Sequence, residues 1–200
     1  MTGTPTPDSG LAELRRLVDV ADKSVYDAVA GTPTPHLDRV MVNLSNAANH
    51  SRLWLATAGA LALLGGDRGR RAACQGVMAV ALASAVTNLV LKPVARRRRP
   101  AGSGDPVPHS RQVRRPVSRS FPSGHAASAF AFATSTGQVT PGVWLPLHAA
   151  AATVAFSRVH TGVHYASDVV IGAMVGDLCG HLTGWLATGS PQHRATGRWR

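Results

Sequence analysis

The stretch Ser157-Arg158-Val159-His160-Thr161-Gly162-Val163-His164-Tyr165-Ala166-Ser167-Asp168 sets an arginine, a histidine and a carboxylate at the mouth of a long apolar segment. If the chain is helical from about Tyr165 onward, His164 and Asp168 stand at i and i+4 and are close enough to touch. The carboxylate then accepts one imidazole N–H, fixes the tautomer and leaves the other ring nitrogen free as a base or nucleophile. Arg158, six residues before His164, offers a planar fork suited to an oxyanion such as phosphate. A helix-start histidine capped by a nearby acid would read the same way, so two further constellations upstream decide between the two.

Apolar segments of helical length flank this stretch. Val169–Ala187 follows it, Val143–Phe156 precedes it, and Ala126–Val139 lies beyond a Thr140-Pro141-Gly142 turn. Aromatic residues are few and no strand-like alternation persists, so the expected fold is all-α, a helical bundle. Ala72–Leu91 runs for twenty residues without a charge, enough to cross a hydrocarbon core of roughly 30 Å. Leu53–Leu64 is shorter and leads into Gly65-Gly66-Asp67-Arg68-Gly69-Arg70-Arg71, read as a tight basic turn. Gly172, Gly176, Gly180 and Gly184 recur at i+4, which lets helices approach closely in lipid. Ordinary packing in a soluble bundle is the plainer account, although glycine there costs helix stability. Asp177 lies in the same segment and is expected to face the bundle interior or a polar cavity. Mean hydropathy is close to zero and several segments fall short of the ~20 residues of a clean span. The uncharged run and the glycine row nevertheless favour a membrane-embedded bundle over a soluble one.

The formal net charge is +11. Nine cationic side chains lie between Lys92 and Arg119 against the single acid Asp105, a cluster that must meet anions such as nucleic acid, lipid head groups or a phosphorylated substrate. Cys74 and Cys179 lie in apolar stretches without a partner at metal-ligand spacing and are read as small buried hydrophobes. Residues 1–10 are polar and read as a disordered tail, with no signal peptide visible. Residues 11–50 are expected to form N-terminal amphipathic helices, the first of them too charged to span a bilayer. Asn43, Asn46 and Asn49 make a polar stripe on the second. Residues 51–188 form the expected bundle domain, and residues 189–200 a basic tail.

The first upstream constellation is Lys92 … Arg99-Pro100. Lys92 is one of two lysines in an arginine-rich chain, so a compact point charge at the end of an apolar helix is the notable feature. Arg96, Arg97 and Arg98 read as a solvated or lipid-facing patch. The second is Phe121-Pro122-Ser123-Gly124-His125, directly before a small-residue helix. Ser123 can cap that helix and Gly124 lets backbone amides close on a ligand. A helix N-terminus is a ready oxyanion site, and His125 stands at its entrance.

Together the three constellations resemble the signature of the type 2 phosphatidic acid phosphatase superfamily, which also includes bacterial acid phosphatases and vanadium haloperoxidases. Its pattern of Lys, six residues, Arg-Pro is matched by Lys92 and Arg99-Pro100. Pro-Ser-Gly-His is matched by Pro122 to His125, and Ser-Arg, five residues, His, three residues, Asp by Ser157-Arg158, His164 and Asp168. The match covers roughly residues 50–187, and nothing in the first thirty residues contributes to it. The resemblance implies that Lys92, Arg99, Arg158, Ser123 and the Gly124 amide bind phosphate. It implies His164 as nucleophile, Asp168 as its orienting partner and His125 as general acid and then base. It also implies no metal or other cofactor. A lipid phosphate or diphosphate is the expected substrate: a polyprenyl diphosphate, phosphatidylglycerol phosphate, a polyprenyl-phosphosugar phosphate or phosphatidic acid. Membrane lipids are the expected partners, without nucleic acid, in a multi-pass cell-membrane protein whose site faces outside the cytoplasm. That orientation places the Lys92–Arg119 cluster against the positive-inside tendency. The basic loop from Ala101 to Ser120 would steer head groups or act as a lid, and His160 would serve a structural role. A soluble acid phosphatase on small phosphoesters is the alternative, and a non-enzymatic basic protein binding nucleic acid or anionic lipid a remote one.

Overall fold

The computed structural model describes residues 7–100, 107–114 and 118–189, and every regular element among them is helical. The elements are α1 (Pro7–Gly31), α2 (Pro35–Ala47), α3 (Arg52–Leu64), α4 (Gly66–Ala85), α5 (Lys92–Ala95), α6 (Gly124–Val139), α7 (Trp144–His160) and α8 (Ala166–Gly189). A π-helical stretch, Val86–Leu91, joins α4 to α5, so residues 66–95 form one continuous rod. This rod and Ala166–Thr188 are long and apolar enough to cross a membrane.

Helix α6 is the axis of the bundle, packed against α4, α7 and α8 at once. Its composition explains this. Ala126, Ala127, Ala129, Ala131 and Ala133 are fully buried, and side chains this small let three helices close on a fourth. Phe132 fills the remaining space against Trp54 of α3, ring centroids 5.6 Å apart, and burying such a ring is worth about 1.5–3 kcal/mol.

Helix α8 has two apolar faces of different grain. The glycine row faces α6: a β-carbon at Gly172 would stand 2.5 Å from the Ser123 carbonyl oxygen, and one at Gly176 would overlap the Ala127 carbonyl. The opposite face exposes Val170, Met174, Leu178, Leu182 and Trp185. Asp177 accepts a 2.6 Å hydrogen bond from Thr134 Oγ1 of α6, yet its side chain keeps 45 % exposure, so it faces the bundle only in part.

Three local expectations are corrected. Residues 66–71 are the first turns of α4, leaving Gly65 as the joint, because glycine and arginine there meet no proline to stop a helix. Cys74 is exposed on the outer face of α4 while Cys179 is buried, a difference set by helix phase. Helix α1 begins at Pro7, within the stretch read as a tail. Residues 1–6 and 190–200, and with them the basic C-terminal tail, lie outside the described residues.

Helix α1 buries Asp22, Tyr26 and Ala30, at i, i+4 and i+8, and leaves Leu11, Leu14, Leu17 and Val18 exposed. It packs on α7 and α8, and α2 packs on α7. The face that docks on the bundle therefore carries a carboxylate and a phenol rather than the leucine row. The basic loop is pinned where it is described. Arg111 is 1 % exposed and donates to Asp38 Oδ1 at 2.7 Å and to the Val29 carbonyl at 2.7 Å. His160 Nε2 stands 3.0 Å from the same Asp38 oxygen.

Candidate active site

A cavity of about 200 Å³ opens where the α4–α5 rod, the N-terminus of α6 and the α7–α8 turn converge. Lys92, Arg99, Gly124, His125 and His164 line it, so side chains from three separated stretches share one space. Ser84, Asn88, Ser118 and Ser128 add polar groups, and His50 and Ser51 complete the rim.

The third stretch folds as its spacing dictates. α7 ends at His160, Gly162 takes the left-handed φ of 68° that turns the chain, and α8 starts at Ala166. Asp168 Oδ2 accepts from the Tyr165 backbone N–H at 3.0 Å, an N-terminal cap. The same oxygen lies 3.4 Å from His164 Nδ1 and accepts a hydrogen bond from Ser120 Oγ. With Nδ1–H directed at Asp168, Nε2 carries the lone pair, and Arg99 Nη1 donates to it at 3.0 Å.

Arg99 is held from several sides. Its Nε donates to the Ser118 carbonyl at 2.9 Å, Nη1 to the Val163 carbonyl at 2.8 Å and Nη2 to the Arg119 carbonyl at 3.2 Å. Lys92 Nζ donates to Asn88 Oδ1 at 2.8 Å and to Ser118 Oγ at 3.4 Å. Asn88 lies four residues before Lys92 on the same continuous rod, a spacing that sets their side chains side by side.

The Pro-Ser-Gly-His turn is tied to the third stretch through its backbone: Ser123 N–H donates to the Asp168 carbonyl at 2.8 Å. Ser123 Oγ caps α6 by accepting from the Ala126 N–H. Ser123 is fully buried, behind the cavity rather than on its wall. Asp168 and Arg158 are buried behind it too, at 0 % and 1 % exposure. Arg158 Nη1 donates to the carbonyl and hydroxyl oxygens of Ser45 on α2, and its Nε has no protein acceptor among the described residues.

Four participants escaped the sequence reading. Asn49, read as one member of a polar stripe, accepts at its Oδ1 from His125 Nε2 at 3.0 Å. Ser118 bridges Lys92 and Arg99, and Ser120 reaches Asp168. Arg97, read as part of a solvated patch, donates to Asp168 Oδ1 at 3.0 Å and to Asp22 Oδ2 at 2.7 Å. The cluster is mixed because its members alternate around an irregular loop: Arg97 and Arg99 turn inward, while Arg96 and Arg98 do not share these contacts. No signal in the sequence marks Asn49 or Ser118, whose partners are remote in the chain.

Burial, with the Arg99 and Arg158 charges adding to it, pushes the His164 imidazole down to about 4, against the opposing pull of Asp168. A nucleophile must be neutral, and a lowered value keeps it neutral far into acid. The acid limb of kcat/KM is therefore expected near pH 4 rather than near the ordinary histidine value of about 6.5. A pH–rate profile with its acid limb above pH 6 would contradict this. Stability follows the same group: below about 6.5 the unfolded chain takes up a proton that folded His164 refuses, so this contribution is lost as pH falls from there toward 4.

The family model described as the PAP2 superfamily matches residues 72–189. A decaprenylphosphoryl-5-phosphoribose phosphatase of Mycolicibacterium smegmatis is 37 % identical over 133 residues, covering 64 % of this chain and 67 % of the relative. The Mycobacterium tuberculosis protein of the same name is 35 % identical over 153 residues, 76 % and 81 % of the two chains. Among solved structures, a transmembrane PAP2 type phosphatidylglycerolphosphate phosphatase from Bacillus subtilis superposes with a TM-score of 0.67 at 22 % identity, over 92 % of this chain and 90 % of that one.

Proposed function

The chain belongs to the PAP2 superfamily and is a phosphohydrolase of that type, and from this premise we propose a membrane-embedded, metal-independent lipid phosphatase working through a phosphohistidine. The observation that carries the proposal is the shared cavity, whose wall His125, His164, Lys92 and Arg99 all line. His164 Nε2 attacks phosphorus while the bond to the leaving oxygen breaks, and His125 delivers the proton that oxygen needs. Burial and the Arg158, Lys92 and Arg99 charges lower the His125 imidazole, and the negative charge of the bound phosphate opposes that and favours its protonated form. His125, now neutral, takes a proton from water, which attacks phosphorus and releases His164 and inorganic phosphate. Lys92 and Arg99 balance the charge on the phosphoryl oxygens from the cavity wall, and Arg158 adds its positive charge from behind it. Asp168 stabilises the cationic ring.

Among lipid phosphates, the mycobacterial relatives favour a polyprenyl-phosphosugar phosphate. The exposed apolar residues of the 66–95 rod and of α8 (Met78, Leu89, Met174, Leu178, Trp185) form a belt suited to lipid rather than to a soluble phosphatase. The exposed leucine row of α1 fits an amphipathic helix at the membrane interface.

The test is phosphate release by the purified protein from a lipid phosphate panel, with His164→Ala as control. Release is expected to be fastest from the polyprenyl-phosphosugar phosphate and to persist in EDTA. No release above the control from any lipid, or a strict divalent-metal requirement, would refute the reading. The site is proposed to face outside the cytoplasm. In a Cys74→Ala background, the variant His109→Cys, at an exposed position, is expected to react with an impermeant maleimide on intact cells. Reaction only after permeabilisation would reverse the orientation.

A further inference from the structure

Arg97 does not line the cavity, yet it is the joint between α1 and the catalytic pair. Its Nη1 donates to Asp168 Oδ1 at 3.0 Å and to Ser167 Oγ at 2.7 Å, while Nη2 donates to Asp22 Oδ2 at 2.7 Å and Asp19 Oδ1 at 3.0 Å. The guanidinium carbon lies 4.5 Å above the Tyr165 ring. Asp22 is buried at 3 % exposure and also accepts the Ser167 backbone N–H at 2.8 Å, so α1 grips the first turn of α8 directly. On Asp168 the two oxygens divide the work: Oδ2 serves His164, Ser120 and the Tyr165 N–H, and Oδ1 is held by Arg97. A planar fork with two donor edges is the side chain that can join two carboxylates in this way.

We propose that Arg97 is a positioning residue that aligns Asp168 on His164, and that Asp22 of α1 is the remote half of the same clamp. The docking of α1 then sets the alignment of the catalytic pair. The proposal rests on His164 being the nucleophile. It predicts a defect in turnover rather than in binding, because neither Arg97 nor Asp22 lines the cavity.

The test compares Arg97→Gln, Arg97→Lys and Asp22→Asn in the full-length, detergent-solubilised protein on the lipid phosphate that the wild type hydrolyses best. For Arg97→Gln, kcat is expected to fall between about 10- and 100-fold, the range a small misalignment produces. KM should stay within about twofold, since uniform binding is untouched. Asp22→Asn should move kcat in the same direction by less, and Arg97→Lys should recover part of the loss by restoring a cation beside Asp168. A second readout needs no substrate: NMR titration of histidine-labelled protein. Without the Arg97 charge, Asp168 holds the His164 proton more strongly, so the His164 midpoint should rise. The other charged groups that act on His164, namely Arg99, Arg158, Lys92 and His125, are the same in every variant. Wild-type kcat in Arg97→Gln would overturn the proposal. So would a kcat loss that only tracks the folded fraction, with the His164 midpoint unmoved. If the wild type releases phosphate from no lipid, the functional reading fails instead, and the titration still decides the role of Arg97.

Discussion

With His164 replaced by alanine, phosphate release is expected to fall to background, a loss of at least about 10⁴-fold, because no other group can form the covalent intermediate. The replacement removes a ring with 1 % exposure, so some stability is lost as well. The helices around it do not depend on the ring, and Asp168 keeps Ser120, Tyr165 N–H and Arg97 as partners. The variant should fold with wild-type helical content by circular dichroism. His125→Ala should also be severely impaired, but selectively: removal of a general acid costs about 10²–10⁴-fold, and the cost should shrink for a substrate whose leaving oxygen needs no proton, such as a nitrophenyl phosphate. Trapping with labelled substrate and rapid quench should find phosphohistidine in wild type and none in His164→Ala. Near-wild-type turnover by either variant would remove the mechanism.

The largest stability effect is expected at Arg111→Ala. This guanidinium is buried and holds Asp38, the Val29 and Thr32 carbonyls and Thr34 Oγ1 together. It thereby fastens the basic loop to the joint between α1 and α2. Removing it leaves Asp38 without its cation and two carbonyls without a donor, at a cost of about 3–5 kcal/mol. Burial alone would raise the Asp38 carboxyl, but hydrogen bonds from Thr34, His160 and Ser110 and the Arg111 charge hold it below the ordinary value. Because that carboxylate is ionised at neutral pH, the destabilisation should be largest there and shrink in acid. Thermal unfolding in detergent at two pH values checks both the size and the sign. An unchanged midpoint would mean that the loop does not depend on this anchor.

Much of the site was legible in the sequence because its geometry is local. His164 and Asp168 face each other through helical spacing, and Ser123 and Gly124 belong to a turn that must open α6. The all-α bundle was legible from apolar segments bounded by proline and glycine. What escaped was long-range. Asn49 lies 76 residues before His125 and Asp22 75 residues before Arg97, and neither spacing carries any periodicity that a single chain displays. Arg97 looked like its neighbours Arg96 and Arg98 because a run of four arginines hides which members turn inward.

The order of residues by itself determined the chemistry available to this protein: two imidazoles, one carboxylate and a set of cations at separations that helices and turns convert into faces. Only the folded arrangement decided which cations reach the cavity wall, which stay behind it, and which carboxylates hold them. The reason is that α6, built of small residues, brings α4, α7 and α8 together at a closeness no local pattern specifies. α1 then docks through a buried acid rather than through its leucines.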